Sequence, residues 1–97
     1  MGVFHYASDL RITDCNESFA EILQIERAQL VGLKLKKIRG RKIQKVLYDV
    51  FDCKEGYYEG VFPLPSSSVK IMVSMHTAPI FDRKGNVVGG IGIVQDI

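Results

Sequence analysis

A chain of 97 residues, 46% hydrophobic and 25% charged, has material for one small domain with one core; this excludes both a disordered segment and a pair of domains. The formal net charge of +2 excludes a uniformly polycationic or polyanionic protein, but it is unevenly spread. Lys34, Lys36, Lys37, Arg39, Arg41, Lys42 and Lys45 crowd into one stretch without an intervening acid.

In chain order, "VFHYA" (3–7) predicts a strand, Ser8-Asp9 a turn and "RITDC" (11–15) a second strand. The period then changes. In "NESFAEILQI" the residues Phe19, Ile22 and Leu23 share a helical face, and Asn16 is placed to cap the helix by accepting a free backbone N–H. "RAQLVG" predicts a short helix stopped by Gly32. Residues 41–52 carry the strongest periodicity: Ile43, Val46, Leu47, Val50 and Phe51 form one apolar stripe. Burying each of these side chains is worth about 1.5–3 kcal/mol before the entropy of ordering is subtracted. Gly56 is expected to break this helix. "YYEGVFPL" (57–64) predicts a strand with an irregular end at Pro63 and Pro65, and "SSS" (66–68) a loop. "VKIMVSMHTAPIF" (69–81) predicts a long strand, "RKGN" (83–86) a hairpin turn and "VVGGIGIVQ" (87–95) the last strand. The order β-β-α-α-α-β-β-β implies an α+β domain: one antiparallel sheet with helices on one face.

The two cysteines, Cys15 and Cys53, are expected to be reduced structural thiols, because no secretory leader or membrane-length apolar run precedes the fold. That pattern implies a cytoplasmic chain with no membrane contact in this segment. Met1-Gly2 reads as an expression scar, so residues 1–97 are expected to be one domain excised from a longer protein.

Several landmarks occur in a recognisable order: Asp9, Ile12 and Asn16; Phe19 leading to Gly32; "PIFDRKG" (79–85); and the terminal Asp96-Ile97. With this element order the chain resembles the PAS, or sensory box, domain over nearly its whole length. It departs from the family in its first hairpin turn, which is short and lacks the usual glycine. The resemblance implies a five-stranded antiparallel sheet with helices packed across one face and a small-molecule pocket between them. It also implies a signal passed to a C-terminal effector, such as the histidine kinase of a two-component system.

Aligned on that family, Leu35 stands where its light-sensing flavin branch needs a reactive cysteine, and Val94 where that branch has a glutamine. Flavin photochemistry is therefore not supported. Haem is not supported either, since the long helix has no histidine and no C-x-x-C-H occurs. The sequence assigns no cofactor. The same alignment turns Val73, Met75 and Thr77 towards the pocket, with Val88, Gly90, Gly92 and Val94 on the last strand. With Leu35, Ile38, Leu47 and Phe51 from the helical side, these inward residues other than Val88 are the candidate ligand-pocket residues. Gly90 and Gly92 leave space that either a cavity or a neighbouring aromatic must occupy; Tyr48, Phe51, Phe62 and Met75 are the candidates for filling it.

The opposite face presents Met72, Ala78, Val87, Gly89, Ile91, Ile93 and Gln95, and with two central isoleucines it is too apolar for a purely solvated surface. It is expected to be covered by a second protomer in a homodimer or by a flanking helix. Asp96 and Ile97 mark the point where a signal would leave. His5 and His76 fall out of phase with the inward positions and read as surface or interface residues. A zinc site from Cys15, Cys53, His5 and His76 lacks ligand spacing, so no metal is expected. No catalytic constellation appears: Ser66-Ser67-Ser68 has no local base, and "GGIG" does not open a helix. No aromatic residue interleaves with the basic stretch, which argues against nucleic acid. The reading is thus a non-enzymatic sensory module with a small-molecule ligand, or else a ligandless dimerisation module.

Overall fold

The computed structural model describes residues 1–63 and 70–97. Among these residues five strands form: β1 (Gly2–Tyr6), β2 (Ile12–Cys15), β3 (Gly56–Phe62), β4 (Ile71–Phe81) and β5 (Val87–Asp96). Three helices, α1 (Glu17–Leu23), α2 (Arg27–Leu30) and α3 (Arg41–Asp49), lie between β2 and β3, with single 3-10 turns at Leu35–Lys37 and Val50–Asp52. All strand pairs are antiparallel, in the spatial order β2-β1-β5-β4-β3. The last strand therefore lies at the centre, clasped by the first strand and by β4. The expected loop at 66–68, together with Leu64, Pro65 and the first residue of the expected strand from 69, lies outside the described residues.

The short first hairpin closes without a glycine. Leu10 takes a left-handed conformation (φ 60°), and its N–H donates to the Ala7 carbonyl at 2.9 Å. That backbone costs a leucine about 1–2 kcal/mol. The side chain is completely buried, which offsets a cost of that size. The burial of Leu10 thus stabilises the strained turn.

Asn16 caps α1 as its position suggested and does more besides. Its Oδ1 accepts from Phe19 N at 2.9 Å and from Val3 N at 3.0 Å, and its own N–H donates to the Val3 carbonyl. One side chain therefore starts the helix and ties it to β1. Arg27, the first residue of α2, reaches back to β2: Nε donates to the Cys15 carbonyl and Nη2 to Asp14 Oδ1, both at 2.6 Å. Cys15 is buried and Cys53 exposed, and both are free thiols.

The apolar stripe of 41–52 packs on the core as expected, with Ile43, Leu47 and Val50 fully buried and Val46 and Phe51 partly so. The regular helix nevertheless ends at Asp49 and tightens into the 3-10 turn. Cys53 terminates that turn in the left-handed conformation (φ 60°), so Gly56 is not the breaker. Gly56 is the first residue of β3, and a Cβ there would lie 2.7 Å from both Thr77 Oγ1 and Val46 Cγ1. Its role is close packing of strand against helix.

Candidate functional site

Two surfaces of the sheet carry the candidate residues, one under the helices and one open. Under the helices, Leu35, Ile38, Leu47, Val73, Met75 and Val94 join one buried cluster, with Phe51 packed partly against it. Thr77 is buried beside them and donates its hydroxyl to the Val46 carbonyl at 3.2 Å. Gly90 and Gly92 face the same layer, where a Cβ would meet the Tyr6 and Phe4 rings respectively. The structure therefore brings the ten predicted pocket residues into one layer.

Val88 does not join them. It is 52% exposed, because the β4–β5 register shifts between Ile80 and Phe81: Ile80 pairs with Gly89 and Phe81 with Val87. Val88 is the extra residue of that bulge, which breaks the period of two.

What occupies the layer comes from β1. Register places Phe4 opposite Gly92 and Tyr6 opposite Gly90. A Cβ on Gly90 would lie 2.6 Å from Tyr6 Oη, and one on Gly92 would fall within the Phe4 ring edge, 3.0 Å from Cδ1. The two glycines are thus the seats of two aromatic rings. Those rings continue in a chain: Phe4 stacks on Phe19 (centroids 4.8 Å apart), Tyr6 meets Phe51 edge-on at 6.1 Å, and Phe19 meets Phe62 at 5.9 Å. Phe51 and Phe62 lie in this chain, but the glycines themselves are covered by Phe4 and Tyr6, which the sequence reading did not include. The signal for them was the alternation of aromatics in "VFHY", legible only once β1 is known to pair with β5.

Tyr6 also carries the polar link across the layer. Its hydroxyl donates to the Leu47 carbonyl at 2.8 Å, joining β1 to the last turn of α3. Burial pushes the ionisation of this phenol far above the usual tyrosine range.

The outer face is assembled in rows by the strand register. Tyr57, His76, Ile93 and Val3 form one row; Ala78, Ile91 and His5 form the next. Ala78, Ile91 and Ile93 are half-buried, and Met72 is 45% exposed. The Tyr57 and His76 rings lie 4.7 Å apart. A depression of about 190 Å³ sits between His76, Ala78, Ile91 and Ile93, with Glu55 at its rim. Gly89, expected to need cover from a partner, is already buried by its own chain: a Cβ there would lie 2.6 Å from the Tyr6 carbonyl oxygen. The sequence reading missed Val3 and Tyr57 on this face. Their strands pair with β5 and β4 respectively, and only that pairing brings them beside Ile93 and His76.

At the exit point Asp96 still pairs with Val73, and Ile97 N donates to the Met72 carbonyl at 3.1 Å. The Ile97 side chain is exposed. Among the described residues no group of three or more His, Cys, Asp or Glu side chains is placed to hold a metal ion. Nor is any helix among them long and apolar enough to cross a membrane.

A family model described as "PAS domain" matches residues 1–97, the whole chain. No curated protein matches the sequence. Among solved structures, the PAS domain of a protein from Colwellia psychrerythraea superposes with a TM-score of 0.83 at 16% identity, covering 99% of this chain and 85% of that one. The blue-light photoreceptor Aureochrome1 LOV, in its light state, gives 0.81 at 14% identity, with coverage of 99% and 80%. The Vibrio cholerae VqmA dimer, described in the absence of its target DNA, gives 0.76 at 15% identity, covering 99% of this chain and 45% of that one. At such identities the likeness is one of fold.

Proposed function

From the premise that the chain belongs to the PAS domain family, we propose that it is a cytoplasmic, non-catalytic signal-input module that works by association through the outer face of its sheet. The observation that carries this reading is the contrast between the two faces. The helix-facing layer is filled by its own aromatic residues, while on the other face the described residues leave Ile91, Ile93 and Ala78 only half-buried and Met72 exposed. Covering the apolar area these side chains still expose favours association by about 25 cal/mol per Å² before the costs of association are subtracted.

The occupant of this face is a second copy of the chain, a homodimer. Asp96 and Ile97 then continue from the central strand, at the edge of that interface, towards a C-terminal effector such as a histidine kinase. A shift between protomers moves β5 directly, and β5 carries the motion to the exit. VqmA, which shares the fold, is described as a dimer. A small-molecule ligand in the helix-facing layer would require Phe4 and Tyr6 to leave Gly92 and Gly90.

Sedimentation velocity on the chain and on Ile91→Lys/Ile93→Lys tests the proposal. The expected result is a dimer that the double substitution converts to a folded monomer. A strict monomer at the highest soluble concentration counts against it. A stoichiometric small molecule retained in native mass spectrometry supports the ligand-sensing reading instead.

A further inference from the structure

Away from both sheet faces, one edge of the molecule carries a charge pattern that neither association nor the core explains. Lys34, Lys36, Lys37, Arg39, Arg41 and Lys42 are all exposed. None forms an ion pair among the described residues, whose pairs are Arg11–Asp9, Arg27–Asp14 and Lys45–Asp49. No carboxylate occurs between Glu26 and Asp49, and the rest of the chain is net acidic. Like charges at this density repel one another, so the arrangement lowers stability when nothing is bound.

The cations stand on a fixed platform. Leu35 and Ile38 point into the core between them. Gln44 Nε2 donates to the carbonyls of both, at 2.8 and 3.0 Å, and Leu35 N donates to the Leu10 carbonyl at 2.7 Å. The charges are therefore presented from anchored backbone. Beside them runs an open groove of about 480 Å³. Val31 and Leu33 contribute its apolar lining, with Val31 40% exposed, and Lys34 and Lys37 stand along it.

We propose that this edge docks an acidic polypeptide segment bearing an apolar side chain. The carboxylates of the segment face the six cations, and the apolar residue seats against Val31 and Leu33 between Lys34 and Lys37. Nucleic acid fits less well: no aromatic lies between Leu30 and Ile43 to stack on bases, and a phosphodiester gains nothing from an apolar lining. A membrane surface fits less well because Val31 is the one well-exposed large hydrophobic residue in this stretch, short of the apolar face that interfacial binding needs.

The test measures fluorescence anisotropy with a short labelled peptide in which glutamates flank one leucine. The 97-residue chain is compared with Lys34→Glu/Lys37→Glu, Val31→Glu and the control Arg83→Glu/Lys84→Glu on the distant β4–β5 turn, each checked for fold by circular dichroism. The expected result is saturable binding that weakens with salt, falls at least about tenfold in the 34/37 and Val31 variants, and stays unchanged in the control. Should the 34/37 reversal unfold the chain, Lys34→Gln/Lys37→Gln is expected to show a smaller loss in the same direction. The proposal is overturned if the wild-type chain shows no saturable binding or if the 83/84 reversal costs as much as the 34/37 reversal. Tighter binding of a single-stranded oligonucleotide or of phosphatidylserine vesicles than of the peptide also overturns it.

Discussion

Replacing Tyr6 by Phe removes one oxygen and leaves the ring that covers Gly90 in place. The lost hydroxyl donates to the Leu47 carbonyl from a site that is 1% exposed. A buried hydrogen bond contributes about 0.5–1.5 kcal/mol net, and an acceptor left unsatisfied costs about 1–3 kcal/mol. The expected loss is about 1–2 kcal/mol, because a helix-end carbonyl regains part of its partnership by small movement. In urea this moves the midpoint down by about 1 M with the slope unchanged, since the surface exposed on unfolding is the same. The pH dependence provides a second signature. Burial raises the pKa of Tyr6 above its unfolded value of about 10. Its contribution to stability is therefore complete below that unfolded value. It is lost as the pH rises from there through the folded-state pKa, because the unfolded chain ionises first. Tyr58 is also raised by burial and remains in both proteins, so the comparison isolates Tyr6. The stability gap between wild type and Tyr6→Phe should shrink above pH 10. An unchanged midpoint at pH 7, or a gap that stays constant into the alkaline range, would refute the buried link between β1 and α3.

Three further outcomes follow from the same structure. Asn16→Ala removes the acceptor for both Phe19 N and Val3 N and is expected to cost about 1–3 kcal/mol, with amide exchange in α1 and at Val3 accelerating together. Gly92→Ala forces the Phe4 ring off its seat and is expected to cost about 1–3 kcal/mol by thermal unfolding, whereas Gly92→Ala combined with Phe4→Leu should recover part of the loss. Backbone hydrogen bonds, first from Asn86 N–H and then from Lys84, hold the Asp82 carboxyl below its ordinary value. Its support of the β4–β5 turn is thus present above the unfolded carboxylate pKa and lost as the pH falls through the lower folded value; a carboxyl titration by NMR with a midpoint at the ordinary aspartate value would contradict this.

The local elements were legible because each has a short-range cause. Asn16 before an apolar 3.6-residue pattern marks a helix start wherever it occurs, and the stripe from Ile43 to Val50 has one solution for its apolar face. The helix ending was less legible. A glycine at 56 looks like a breaker, but Cys53 accepts the left-handed conformation first, and Gly56 answers instead to Val46 and Thr77 across the fold. The inward phase of β4 and of β5 from Gly90 onward followed from the family resemblance, which set the phase, and from alternation, which carried it along the strand; Val88 escaped because a bulge is a property of two strands together.

The candidate site divides along the same line. The residues of both faces could be assigned from phase, since phase is carried within a strand. What fills the space above Gly90 and Gly92 could not, because the answer lies some 85 residues away at the other end of the chain. Sequence by itself determined the five strands, the helix starts and the PAS family membership, all of which rest on local pattern and order. Only the tertiary structure decided that β1 lies against β5. That single pairing seats Phe4 and Tyr6 on the glycines and closes the interior with aromatic rings, while the described residues leave Ala78, Ile91 and Ile93 of the outer face half-buried and Met72 exposed.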